Sequence, residues 1–413
     1  MQVLNLSYSD IKGGGGFRAA YRLHKALRMF DIDSFMRVNV SASNDWTVFG
    51  PQSKLLQVFA ISRAQFIKPF TALCRTKNPI LHSPALLPSH FSNWINKSDF
   101  DIVHLHWVQG EMISIEDVSR IRKPIVWTLH DMWTFCGAEH LAWDERWKEG
   151  YFSSNRPSHE IGLDINRMTW SRKKKYWNHP MTFIAPSQWM KECADQSALL
   201  HKQSTYHIPN PIDTTFWSPV PREFARISLN LPQNVPIILF GAVGKNPPHH
   251  KGFDLLLQAL AIFSKFEFFK TPHIVIFGQS QPKEHLPLSF PIHYVGHFQD
   301  EVSMKLLYAS ADCVAIPSRF DNLPNIAVES ICCGTPVVSF DVGGLSDIVK
   351  HKQNGYVAKS FNVDSFAHGI YWILSHKFPQ VLRHNARSHA VNTFSSDLII
   401  PRVLDIYKSL VHY

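Results

Sequence analysis

The chain has 413 residues, 45% of them hydrophobic, with a formal charge of +9 and a pI near 9.2. That length and apolar content suffice for two domains with real cores, and sparse charge with many aromatics excludes a disordered protein. No apolar run approaches the roughly 20 residues of a membrane span, and residues 1–5 lack the charged start of a signal peptide. Six cysteines without paired spacing, Cys332 and Cys333 being adjacent, point to a reduced, cytoplasmic setting.

Short apolar runs alternate with amphipathic segments, the pattern of a parallel, doubly wound sheet. Strands are predicted over 3–7, 34–40, 102–107, 125–129 and 182–185, with helices over 17–29 and 188–197. Prolines in 208–213 mark a linker. The second half repeats the logic, with strands over 237–243, 273–278, 292–295, 313–317, 336–340 and 355–358. Helices are expected over 253–263, 301–310 and 398–410. The fold class is therefore α/β, with Rossmann-like domains over 1–208 and 209–395 and a terminal helix within 396–413. Ligands of such sheets sit beyond the carboxyl ends of the strands.

The basic excess is uneven. No acid stands between Asp45 and Asp99, whereas Lys54, Arg63, Lys68, Arg75, Lys77 and Lys97 all do. A second cluster, Arg172, Lys173, Lys174 and Lys175, is flanked by Trp170, Tyr176 and Trp177. Basic charge beside aromatics fits nucleic acid, an anionic membrane surface or an anionic substrate, and equally a solvated helix face.

Four segments carry chemistry. Gly13, Gly14, Gly15 and Gly16 follow the first strand and permit positive φ and close backbone approach, so the loop can wrap a phosphate, leave room for a sugar, or simply turn. It is neither a Walker A loop nor a dinucleotide fingerprint. His130 and Asp131 stand where a strand runs out into a loop. His104 and His106 alternate on a strand, which places their rings roughly 7 Å apart, further than zinc ligands reach, and no structural metal is expected. Lys245 and Lys251 lie in a loop after the strand over 237–243.

The fourth segment, 318–344, sets Asp321 and Glu329 around Asn322, Leu323, Pro324 and Asn325. Pro324 fixes φ and needs no donor in a first turn, so a helix can run over 326–331 with Glu329 early in it and backbone amides facing an anion. Gly334, Thr335 and Pro336 then break to a buried strand that ends in a Gly343–Gly344 turn.

In this order the motifs resemble the retaining, GT-B-fold glycosyltransferases, in particular family 4 (group 1 type) and its bacterial surface-polysaccharide members. Asp321 replaces the first acid of the family's Glu-x7-Glu. Asn246 stands where the family's clamp arginine is usual, with Lys245 beside it. The resemblance implies two domains facing each other across a cleft, the last helix crossing back to the first domain. It places Gly14, Gly15 and Gly16 against the donor diphosphate and acceptor. It puts His130 on a hydroxyl of the donor sugar, with Asp131 orienting the ring. Lys251, with Lys245 as stand-in partner, clamps the leaving diphosphate, and the amides of residues 322–325 hold it. Asp321 takes a sugar hydroxyl and Glu329 the ribose hydroxyls.

The expected activity is a retaining, metal-independent hexosyl transfer without cofactor. The donor is a nucleoside-diphosphate sugar, and the acceptor is a glycan or lipid-linked glycan of O-antigen, capsule or exopolysaccharide. The expected location is the cytoplasm, peripheral at the inner face of an anionic membrane, with no nucleic acid bound. The competing readings are a nucleotide-sugar epimerase on the same scaffold and a non-enzymatic basic protein binding membrane or nucleic acid.

Overall fold

Strands apolar at nearly every position, such as Ile237–Gly241 and Cys313–Ile316, are the interior of parallel sheets covered by helices on both faces. The computed structural model describes residues 1–241, 249–282, 286–298 and 300–411 and contains two such sheets. By contact the chain divides into two units, Met1–Pro211 with Ile399–Tyr413, and Ile212–Leu398.

The first sheet runs Val48–Phe49, Asp33–Arg37, Gln2–Leu6, Ile102–Leu105, Ile125–Thr128, Thr182–Ala185, Ser204–His207, all parallel. The second runs Ile292–Tyr294, His273–Phe277, Ile237–Gly241, Cys313–Ile316, Val337–Phe340, Gly355–Ala358, also all parallel. In each, chain order reverses beside the unit's first strand. The carboxyl ends at that switch point are where a doubly wound sheet binds ligand. They are the loops after Leu6 and Leu105 in the first unit, and those after Gly241 and Ile316 in the second.

Two edge strands were not anticipated. Val48–Phe49 is too short to show alternation, and Ser204–His207 is half-exposed and polar. The helix Ser396–Val411 belongs chiefly to the first unit: Ile399, Ile400, Val403, Ile406 and Tyr407 pack on Val3, Leu23, Leu27, Ile102 and Val126. Its Tyr407 hydroxyl lies 2.5 Å from His104 Nδ1.

The basic cluster at 172–175 does not form one surface patch, because half of it is internal. Arg172 bonds Glu116 and the carbonyls of Pro84 and Ala85. Lys173 is fully buried and donates to the carbonyls of Trp133, Cys136 and Gly137. Burial pulls its pKa down to about 7. Lys174 and Lys175 lie over the rings of Trp170 and Tyr176.

Candidate functional site

In the second unit the site residues cluster at the switch point. Lys251 closes a short turn, His249–Lys251, and its ammonium donates to Asp321 Oδ2 at 2.7 Å. Ser318, the second residue beyond Ile316, donates its hydroxyl to the same oxygen at 3.1 Å. The two loops are strapped together: Arg319 N–H donates to the His250 carbonyl at 2.7 Å, and the Arg319 guanidinium holds both oxygens of Asp254.

Two glycines permit this approach. Gly252 has φ +68° and a Cβ there would sit 1.9 Å from the Pro317 carbonyl oxygen. Gly343 has φ +56° and a Cβ would sit 1.9 Å from the Asp321 carbonyl oxygen, which accepts from Gly344 N–H at 3.0 Å. The Gly-Gly turn is therefore the seat of Asp321.

The helix runs Asn325–Cys332 with Pro324 as its N-cap. Glu329 is buried, not a surface acid, and its Oε2 accepts from the Tyr308 hydroxyl at 2.7 Å. Tyr308 is itself buried between Trp217 and Phe277. The expectation for residues 322–325 needs a correction. Leu323 packs its side chain into the core, and Pro324 has no N–H, so residue 324 contributes no amide to an anion in that turn. Lys245 lies outside the described residues.

In the first unit Gly14, extended, caps the helix Gly15–Met29. A Cβ on Gly16 would come 3.2 Å from Cβ and Cγ of His130, so the glycine lets the helix start press on that ring. Gly13, at φ +112°, lies against Phe17, which packs edge-on to Trp107. His130 Nε2 lies 3.1 Å from His106 Nδ1, and burial lowers its pKa to about 4.

Asp131, whose charge acts on the His130 ring, makes its hydrogen bonds elsewhere. Its carboxylate accepts from Trp107 Nε1 at 2.9 Å, His140 Nδ1 at 2.6 Å and Trp133 N–H at 3.0 Å. His140 Nε2 in turn meets Ser83 Oγ at 2.8 Å. This chain, buried at His140 and Ser83 and half-buried at Asp131 and Trp107, braces the loop after His130.

His104 and His106 are stacked with centroids 4.3 Å apart, not 7 Å, because His106 lies beyond the strand Ile102–Leu105 and its ring tilts. Neither is left for a metal, since His104 bonds Tyr407 and Thr128 and His106 bonds Asn5 and His130. Among the described residues no group of three His, Cys, Asp or Glu side chains could hold one.

Three site residues escaped sequence reasoning. Ser318 had a signal in its place at a strand end, and Asn5 had one as a polar residue inside an apolar strand. Tyr308, in the helix Glu301–Ser310, had none.

Two family models match the chain: Glycosyltransferase Family 4 over residues 13–216 and Glycosyl transferases group 1 over 221–390. An uncharacterized glycosyltransferase of Methanocaldococcus jannaschii is 31% identical over 191 residues, 44% of this chain and 47% of that protein. A D-inositol 3-phosphate glycosyltransferase of Gordonia bronchialis is 30% identical over 211 residues, 48% and 45% of the two. The chain thus spans about half the length of the curated relatives it matches. Anabaena HepE, solved with UDP-glucose, superposes with a TM-score of 0.66 over 99% of this chain and 100% of that one at 17% identity, a likeness of fold.

Proposed function

The chain belongs to the group 1, family 4 glycosyltransferases, and from that premise we propose that it is a retaining hexosyltransferase. It moves a sugar from a nucleoside diphosphate to a glycan or lipid-linked glycan of a surface polysaccharide. The observation that carries this reading is the second unit's charged set: Lys251 paired with Asp321, and Glu329 buried on Tyr308.

A carboxylate accepts from both hydroxyls of a vicinal diol, so Glu329, aligned by Tyr308, suits a ribose. Lys251 carries three donors. A diphosphate competes with Asp321 for them and draws the ammonium to the charge that develops as the glycosidic bond breaks. Asp321 then accepts from a hydroxyl of the sugar, and as the shorter acid it favours a sugar that reaches towards it. Fixed cations in this role make a divalent metal unnecessary. The leaving phosphate takes the acceptor proton on the same face of the sugar. The UDP-glucose bound by the Anabaena protein makes uridine diphosphate sugars the first donors to try.

The helix Lys54–Phe66 supports a membrane-borne acceptor. It buries no residue, and Leu55, Val58 and Phe66 are 83%, 64% and 65% exposed. Lys54 and Lys68 flank it, in a stretch without acids. Arg63 is committed to the carbonyls of Glu111, Leu87 and Pro88, so it anchors the helix and leaves the lysines to meet anionic headgroups. No helix among the described residues is long and apolar enough to cross a membrane.

A thermal-shift series with UDP-, GDP- and ADP-sugars tests the central reading. A donor at a hundred times its Kd adds about 2.7 kcal/mol of stability. A wild type that no nucleotide sugar stabilises would overturn it. Conversion of the donor without acceptor would mark an epimerase instead.

A further inference from the structure

Behind His130 a line of polar side chains crosses the interior of the first unit to Asp45. His130 Nε2 meets His106 Nδ1 at 3.1 Å, and His106 Nε2 meets Asn5 Oδ1 at 3.1 Å. Asn5 Nδ2 meets Ser34 Oγ at 2.9 Å, and Ser34 Oγ meets His24 Nδ1 at 2.9 Å. His24 Nε2 meets Thr47 Oγ1 at 2.8 Å, and Thr47 Oγ1 meets Asp45 Oδ1 at 2.6 Å. Asn5, Ser34, His24, Thr47 and His106 are all buried.

Each end of the line dictates who donates. A carboxylate only accepts, so the Thr47 hydroxyl donates to Asp45 and must accept from His24 Nε2–H. Neutral His24 then has its lone pair on Nδ1 and accepts from the Ser34 hydroxyl. From the other side, Asn5 Nδ2 lies 3.3 Å from the Phe35 carbonyl, which also only accepts, so Oδ1 is the Asn5 atom facing His106. His106 Nε2 therefore donates, its Nδ1 accepts, and His130 Nε2 is the donor. The two derivations meet at Ser34 without conflict. Every donor points the same way, from His130 to the anion.

We propose that this line holds neutral His130 in its Nε2–H tautomer with the lone pair on Nδ1, making His106, Asn5, Ser34, His24, Thr47 and Asp45 positioning residues for it. The imidazole that accepts from a sugar hydroxyl is thereby set from more than one shell away. That last step rests on the glycosyltransfer reading; the tautomer does not. The environment agrees: burial lowers the pKa of His24 to about 4 and of His106 well below the ordinary value, so both stay neutral. Partial burial would raise the pKa of Asp45, but hydrogen bonds from Thr47 and the nearby His24 and Arg28 bring it below the usual range. Aligned bonds polarise one another, and each link strengthens the next. The amide of Asn5 cannot pass a proton on, so the line orients and does not conduct.

The test is long-range proton–nitrogen NMR on the full chain with 15N-labelled histidine, with peaks assigned from single His→Asn variants. The expected wild-type result is the Nε2–H form at His24, His106 and His130. An Nδ1–H or evenly mixed His130 overturns the proposal without any variant. His106→Leu should leave His130 a mixture of tautomers, and an unchanged His130 would equally overturn it. Thr47→Val is the milder cut and should blur His24 first. His106→Gln keeps an acceptor and a donor at matching spacing and should restore the His130 signature.

In turnover, His106→Leu should lower kcat about tenfold or more with donor KM little changed, as a wrong tautomer does, and His106→Gln should recover most of it. Unchanged kcat with a disturbed tautomer would remove the line from the reaction. A wild type that turns over no nucleotide sugar would instead sink the glycosyltransfer reading and leave the spectra to decide the tautomer.

Discussion

The two units solve the same problem, holding polar groups still beyond the carboxyl ends of parallel strands, by opposite means. In the second, opposite charges are paired: Lys251 with Asp321, and Arg319 with Asp254 in the first turn of the helix Phe253–Phe263. In the first, the His130 imidazole, whose pKa burial lowers, is held by other uncharged groups deep in the sheet, with a carboxylate at the far end of the line. Charges meet at loops because water is near and desolvation is modest. Inside a sheet a charge would cost several kcal/mol, so hydrogen-bonded neutral rings do the work.

The sharpest way to break the charged arrangement is through its backbone. Gly343→Ala puts a Cβ 1.9 Å from the Asp321 carbonyl at a positive φ, and Gly252→Ala does the same at Pro317. Each should destabilise the second unit by about 3 kcal/mol or more and abolish the nucleotide-sugar thermal shift, read by calorimetry. Lys251→Ala should lower kcat roughly 100- to 1,000-fold, the effect of losing a fixed donor to developing charge, in steady-state kinetics. Glu329→Ala should weaken donor binding by roughly 1.5–3 kcal/mol, about ten- to a hundredfold, by calorimetric titration. A response like wild type would free Glu329 of the ribose.

Acid should sharpen the contrast from the other side. Burial lowers the folded pKa of His24 and His130 to about 4 and of His104 to about 3, below the unfolded value near 6.5. Between those values the unfolded chain binds more protons. Their contribution to stability is thus complete above pH 6.5 and is lost as pH falls towards 4. All tryptophans except Trp217 and Trp372 lie in the first unit, so fluorescence-detected unfolding reports it selectively. Its midpoint should fall over that window faster than that of the second unit, whose His273 and His293 are partly exposed. The smallest effect on stability belongs to Leu55→Glu with Val58→Glu, within about 0.5 kcal/mol at exposed positions. Yet flotation with vesicles containing phosphatidylglycerol should lose the protein, and transfer to a soluble acceptor should persist.

The second unit was the more legible of the two, and for a physical reason. Its strands over 237–241, 273–277, 313–316 and 355–358 are continuous apolar runs, and Ser318 and Asp321 follow the strand end at Ile316 within five residues, with Glu329 on the helix that comes next. Asp131 acts on the neighbouring His130 through its charge, but its hydrogen bonds were not legible in the sequence. The carboxylate bonds Trp107 and His140, which only the folded chain brings beside it.

What the sequence determined by itself was local: parallel sheets from apolar runs, glycines where backbones must touch, two acids and a lysine beside strand ends. What only the tertiary structure decided was partnership across long separations. Glu329 is seated by Tyr308, and His130 is oriented through residues as distant in the chain as Asn5 and Asp45. No periodicity encodes such pairs, because a buried polar group must bond to whatever the folded sheet brings beside it.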